Sequence, residues 1–272
     1  MHQYIEHISR GSVSAPELSD WALSHGVTSL TTEDVSHLCG VPTNQVPQRL
    51  APQRQRSRIF SPARGLWVPV PAEYRTWGAP DPLLYIDDMM RHLGMGYLVG
   101  WLTAAARHGA SHQAPQTFQV ATSRNLRDRD LGRSRVRFFA RSYVVSAPCS
   151  QRDLANTGAR VATSGMTMLM LAADPGFCGG MGNVATAIVE LSEENPGYVN
   201  ELLATAAFFA DAAPRRVGYI LEEFGGGAPD SLREYCAALT SQPSYLSPTS
   251  PKAGALDRAW NVVLNEEVDP DL

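Results

Sequence analysis

The sequence predicts an α+β protein built from two units. An N-terminal winged helix-turn-helix is expected over residues 1–72. A mostly helical α+β unit with a small sheet is expected over residues 81–272, after a linker at 73–80. Three observations predict this. The chain has 272 residues, 44% of them apolar and 18% charged, enough for roughly two cores. Three short helical patterns and two β-prone runs precede Pro71 in the order a winged helix requires. Beyond Leu83 helical periods dominate, interrupted by runs that alternate like strands.

In chain order, Ser14 to Glu17 reads as a capping box, with Pro16 in the first turn and Leu18, Trp21 and Ala22 at helical spacing. Thr31 to Asp34 opens a second helix, with Val35 and Leu38 inward and Gly40 at its end. The third runs from Thr43 to Leu50. Val46 and Leu50 are four apart and face the core; Thr43, Asn44, Gln45, Gln48 and Arg49 face out. Pro47 is tolerated only in a first turn, so Asn44 is the expected cap. Arg58 to Phe60 and Leu66 to Val68 are short strands, joined by turn residues from Ser61 to Gly65. This hairpin is the expected wing.

In the second unit, Leu83, Ile86 and Met90 share one helical face, and Leu98, Trp101, Leu102 and Ala105 another. Thr117 to Thr122 alternates like a strand. Val136, Phe138 and Ala140 alternate with Arg135, Arg137, Phe139 and Arg141, which puts apolar groups on one face and three arginines on the other. Later helical patterns begin near Val184, Val199 and Leu232, and Trp260 to Leu264 suggests a last strand.

The net charge of −4 hides a split. Residues 1–173 hold 18 basic and 12 acidic side chains; residues 174–272 hold 5 and 15. A basic front and an acidic rear follow. Between Val41 and Pro71 stand Arg49, Arg54, Arg56, Arg58 and Arg64 with no carboxylate among them, a surface that can approach phosphates without self-repulsion. A second basic stretch holds Arg124, Arg127, Arg129, Arg133, Arg135, Arg137 and Arg141 against two aspartates. Lysine occurs once, at Lys252, so arginine is the default cation here. Clustering, not residue identity, carries the inference.

No catalytic centre, metal site or cofactor is expected. His108 and His112 have metal-pair spacing, but Gly109 and Ser111 weaken the helix and the glutamate of a metalloprotease motif is absent. The glycines from Gly176 to Gly182 are followed by no lysine and read as a turn. Asp87 and Asp88, adjacent on a helix, diverge by about 100°. Four scattered cysteines (Cys39, Cys149, Cys178, Cys236) suit a reducing cytoplasm. The longest apolar run is far too short to span a bilayer.

The chain as a whole resembles the AbiEi family of abortive-infection antitoxins and transcriptional regulators, the antitoxin half of type IV toxin–antitoxin pairs. The resemblance lies in residues 97–110 (YLVGWLTAAARHGA), 112–120 (HQAPQTFQV), 161–171 (VATSGMTMLML), 179–186 (GGMGNVAT), 216–222 (RVGYILE) and 260–267 (WNVVLNEE). It implies a two-domain repressor that binds repeats in its own promoter through basic residues of both domains. It also implies a second domain that counteracts a nucleotidyltransferase-like toxin without requiring a stable complex. Where the family often has an acidic residue in the mid-domain helix, this chain reads Met166 to Met170, and no role is carried onto that stretch.

The expected partners are therefore double-stranded promoter DNA, read as inverted repeats, and a cognate toxin, with no membrane involved. Two readings from other classes stand beside this one. The first is a toxin-sequestering module without DNA recognition. The second is a metal-dependent nuclease built on His108, His112 and Asp87 or Asp88.

Overall fold

The computed structural model describes residues 5, 7–110, 116–150 and 158–271, and its fold is α+β. Two hydrophobic clusters organise it. The smaller gathers Leu18, Ala22, Leu30, Val35, Leu38, Val46, Leu50, Ile59 and Trp67. The larger runs from Ala63 to Val262.

The first helix, α1 (Leu18–Ser24), starts later than the sequence suggests. Ser14 Oγ donates to the Glu17 carboxylate at 2.5 Å, so the pair bonds to itself and caps no backbone N–H. By contrast the Thr31 box forms as expected. Asp34 N donates to Thr31 Oγ1 at 3.1 Å and Thr31 N to Asp34 Oδ2 at 2.8 Å, opening α2 (Thr32–Cys39). Gly40 closes that helix at φ +64°, a left-handed conformation that glycine adopts without steric cost.

Strand β1 (Leu30–Thr31) was not foreseen. It is two residues long and exists because β3 (Leu66–Pro69) pairs with it, Leu30 opposite Trp67. β3 also pairs with β2 (Ile59–Ala63), giving a three-stranded antiparallel sheet. β2 extends to Ala63 through a register shift, so the hairpin turn shrinks to Arg64 and Gly65, the glycine at φ +83°. The expected linker is itself structured. It forms a 3-10 turn, Ala72–Trp77, which Gly78 ends, and Arg75 ties it to Val70 O and to Asp20.

The larger core lies between a six-stranded mixed sheet and a helical layer. Strand order is β6-β7-β5-β4-β9-β8, comprising β4 (Tyr97–Val99), β5 (Thr117–Thr122), β6 (Arg129–Leu131), β7 (Ser134–Ala140), β8 (Cys149–Ser150) and β9 (Val161–Ala162). β5 and β7 run parallel, Val120 opposite Phe138. Ahead of the sheet lies α5 (Ile86–His92), after the short helices α3 (Val46–Arg49) and α4 (Ala51–Gln55) of the smaller cluster.

One expectation fails at β4. The spacing places Leu98 with Trp101 on one helical face, but Tyr97–Val99 is strand and α6 (Trp101–Arg107) begins after it. Trp101 adopts φ +50°, which is costly for a bulky side chain. Full burial and an indole N–H bond to Asp174 Oδ2 (3.2 Å) hold it there.

At the centre of the helical layer is α7 (Ser164–Ala173), buried from Ser164 to Ala172. Any side chain at Gly165 would overlap the backbone of α9 (Tyr198–Thr205). Around it pack α8 (Met181–Glu194) and α10 (Ala212–Phe224), with α11 (Asp230–Ala237) outside. Two arginines of α10 are buried, Arg215 and Arg216. Arg215 donates to the carbonyls of Gln242 (2.9 Å), Leu239 and Ser241; Arg216 donates to Tyr245 O (2.9 Å) and Ala172 O (2.8 Å). They staple the tail, whose strands β10 (Ser244–Tyr245), β11 (Ala255–Asp257) and β12 (Val262–Leu264) form a small sheet. Burial lowers the Arg216 guanidinium to about 10.

Candidate nucleic-acid interface

The segment from Pro42 to Arg56 is two short helices placed end to end. A 3-10 turn at Thr43–Gln45 leads into α3, and α4 follows directly after Leu50. The cap differs from the expected one: Pro42, extended, precedes the turn, and Asn44 lies inside it. Pro47 therefore occupies the first turn of α3, where the missing N–H leaves no helical bond unmade. Val46 and Leu50 are fully buried and anchor the segment, each contributing about 1.5–3 kcal/mol of burial. Gln53 Nε2 adds a bond to Ala15 O. Thr43, Asn44, Gln45, Gln48 and Arg49 are exposed, as are Arg54 and Arg56 around the end of α4.

The arginines after α4 divide into two kinds. Arg64 is exposed at the hairpin tip, and its carbonyl accepts from His92 Nε2 at 2.9 Å. Arg58 is half-buried and pairs with Asp20 at 3.1 Å, and Asp20 also holds Arg75 at 3.3 Å. Among the described residues Arg49, Arg54, Arg56 and Arg64 have no carboxylate partner, whereas Arg58 is held in a surface ion pair with Asp20.

The hairpin does not stand free. Ala63, Leu66 and Val68 belong to the larger core, and Arg129 Nη1 donates to Pro62 O. Burial lowers the Arg129 guanidinium below its usual range. Thr28 Oγ1 donates to Asp88 Oδ2 at 2.7 Å, a further tie between the first part of the chain and α5.

The second basic stretch also divides. Arg124, Arg127, Arg133, Arg135 and Arg137 are exposed. Arg135 pairs with Asp130 at 3.1 Å and Arg137 with Asp128 at 3.8 Å. Arg141 turns inward, bonding Asp174 at 2.8 Å and lying 5.7 Å from the ring centres of Trp101 and Phe177. Its role is to fasten β7 to the loop after α7. Arg124 reaches Gly94 O at 3.4 Å. Arg127 and Arg133 have no carboxylate partner among the described residues.

The other motifs resolve into structure. His108 Nε2 donates to Ala162 O at 2.7 Å, and His112 lies outside the described residues. Asp87 accepts from Tyr97 Oη (2.9 Å) and Arg91, and Asp88 accepts from Arg91 (3.0 Å) and Thr28. Among the described residues no cluster of three His, Cys, Asp or Glu could hold a metal. The loop after α7 forms a 3-10 turn at Pro175–Phe177, and Gly180 at φ +101° leads into α8. Among the described residues no helix is long and apolar enough to cross a membrane.

Residues 98–223 match the family model described as the AbiEi antitoxin C-terminal domain. The chain is also similar in fold to the crystal structure of the RV2827C protein from Mycobacterium tuberculosis, with a TM-score of 0.66 at 16% identity. That likeness covers 94% of this chain and 95% of that one. No curated protein matches.

Proposed function

We propose that this chain, which carries an AbiEi antitoxin domain over residues 98–223, binds double-stranded DNA of its own promoter and represses its toxin–antitoxin operon. Residues 1–72 act as the winged helix-turn-helix and residues 81–272 as the antitoxin unit. The antitoxin unit counteracts a nucleotidyltransferase-like toxin and needs no catalytic centre or cofactor.

One observation supports the DNA reading above the others. An exposed polar face at Thr43, Asn44, Gln45 and Gln48 is flanked by Arg49, Arg54, Arg56 and Arg64, all exposed and none paired with a carboxylate among the described residues. Amide and hydroxyl groups read base edges; guanidinium groups hold phosphates and fix register. Because the hairpin is packed on the sheet unit, the exposed arginines of both units keep a fixed relation. Arg124 and Arg127 are then the best candidates for additional backbone contacts.

A salt-dependent shift assay with the upstream DNA of its own operon tests the reading. Tight binding that weakens steeply with salt is expected, with unrelated DNA weaker by about a thousandfold or more. Equal binding to both duplexes would contradict a repressor.

A second reading, direct capture of the toxin, draws on exposed Val145 and Phe208 and on the acidic rear half. Co-purification of the two proteins at micromolar concentration would favour it. Independent migration would favour a functional antagonism without a complex.

A further inference from the structure

Between the 3-10 turn that ends at Trp77 and the open end of the parallel pair β5–β7 lies a groove of about 550 Å³. Trp77, Thr103, Arg107, Phe118 and Arg133 line it. It adjoins a hollow of about 490 Å³ beside Asp130 and Gly132, with Gln116, Thr117, Arg133, Ser134 and Arg135 common to the two. Cavities of this size take small molecules. They do not take a duplex, so a ligand here is not the promoter and the inference does not rest on the repressor reading, although Arg133 and Arg135 belong to the second basic stretch.

Three features give it a chemistry. The first is Trp77, a residue 47% exposed at the rim. Tyr74 packs edge-on against it, with centroids 5.7 Å apart at 69°, which limits the indole's rotation. An exposed, oriented indole is a stacking platform for a flat ring. The second is charge. Arg107 pairs with Asp81 at 3.0 Å and Arg135 with Asp130 at 3.1 Å, both pairs at the surface. Arg133 has no carboxylate partner among the described residues, so the groove keeps one uncompensated guanidinium. The third is placement. Arg133 follows Gly132, which turns the β6–β7 hairpin at φ +62°. A Cβ at Gly132 would overlap the Trp77 carbonyl oxygen, so only glycine lets the hairpin tip close on the Trp77 turn. The fold therefore brings an aromatic face and an exposed guanidinium to one rim. Gln116, Thr117 and Ser134 supply neutral donors and acceptors beside them.

We propose that this groove binds a nucleotide, its base stacked on Trp77 and its phosphate held by Arg133, with Arg107 and Arg135 adding positive charge as their carboxylates are displaced. The aromatic platform distinguishes a nucleotide from a bare anion; the guanidinium distinguishes it from an apolar ligand. The nucleotide could be free, as a nucleoside triphosphate, or could be one residue of a single strand.

Calorimetric titration of the full chain with metal-free ATP and with the single-stranded octamer (dT)8 tests this. Trp77→Ala and Arg133→Gln are run alongside, and a thermal melt of each variant establishes that it is folded. Saturable binding of ATP or (dT)8 supports the proposal, and which of them binds identifies the source. Trp77→Ala should weaken that binding about tenfold. Arg133→Gln should weaken it and lower the salt slope by about one. Three results would overturn the proposal: neither ligand binding at millimolar concentration, inorganic tripolyphosphate binding as tightly as ATP, or a folded Trp77→Ala binding like the wild type. Promoter binding, measured on the same preparations, is a separate outcome, since Trp77 lies outside the proposed duplex contacts.

Discussion

Arg129→Met is the most informative perturbation of the architecture. Arg129 sits on β6, and its guanidinium donates to the carbonyl of Pro62 in the β2–β3 hairpin. Methionine preserves much of the stem volume and removes the donors. Loss of a charge-assisted hydrogen bond costs about 1.5–3 kcal/mol, because the abandoned carbonyl keeps its desolvation penalty. Arg129 is only half-buried, so water partly compensates, and about 1–2 kcal/mol is expected. In a chain of this size each 1 kcal/mol moves the melting midpoint by about 2–4 °C. Thermal and urea unfolding measure it. A single transition is expected for wild type and variant alike, since Ala63, Leu66 and Val68 bury in the larger core in both. Arg127→Met, two positions away and exposed, is the control and should change nothing. A midpoint for Arg129→Met equal to wild type would refute the claim that this contact fastens the hairpin to the sheet.

Other consequences are as direct. Gly218→Ala would normally help a helix, but the added methyl would overlap the buried Trp260 ring; a loss of about 1–3 kcal/mol in urea is expected, and a gain would contradict the packing. Burial pushes the Cys39 thiol up to about 11 and Cys236 to about 12, so at pH 8 both should label slowly in the folded protein and rapidly in urea, as site-resolved mass spectrometry can read. The sign for stability follows: these raised thiols cost nothing below the unfolded value of about 8.5 and weaken the fold as pH climbs from there towards the folded values. Gln45→Ala or Gln48→Ala should relax discrimination among operator variants by about 1–3 kcal/mol per lost base contact while leaving the salt slope unchanged, and a changed slope would mean a phosphate contact instead.

What was legible in the sequence was local. The Thr31–Asp34 box and Gly40 stop need only neighbours within one turn, and both form. The buried pair Val46 and Leu50 follows from spacing alone, as does the alternation of β7 from Arg135 to Phe138; β5 is a strand as expected but is buried on both faces from Phe118 to Thr122, because the sheet and helical layer enclose it. The misses are non-local. β1 and β4 are two and three residues long and become strands only because β3, β5 and β9 bond to them. The Leu98–Ala105 pattern mimicked a helix because the helix begins inside it. Ser14 and Glu17 had the spacing of a cap, but each satisfied the other.

The same limit governs the basic residues. Clustering identified the arginines, yet nothing in the local sequence shows that Asp20 takes Arg58, that Asp174 takes Arg141, or that Arg129 faces a hairpin sixty-seven positions earlier. A charge count treats these as equal to Arg49; the fold does not. The burial of Arg215 and Arg216 is not legible in the local pattern either. An arginine pair inside an otherwise apolar helical pattern is the signal that could have found them, since such charges are buried only when carbonyls or acids meet them.

The central claim is that the exposed guanidiniums around the segment from Pro42 to Arg56 and at the hairpin tip meet DNA phosphates. It is tested most directly by the slope of log affinity against log salt for the promoter duplex. Arg49→Ala with Arg64→Ala should lower that slope by about two and leave the melting temperature unchanged. Arg58→Ala, whose charge is already taken by Asp20, should leave the slope where it was. If the double variant keeps the wild-type slope, or Arg58→Ala alone lowers it, the DNA face lies elsewhere on the molecule.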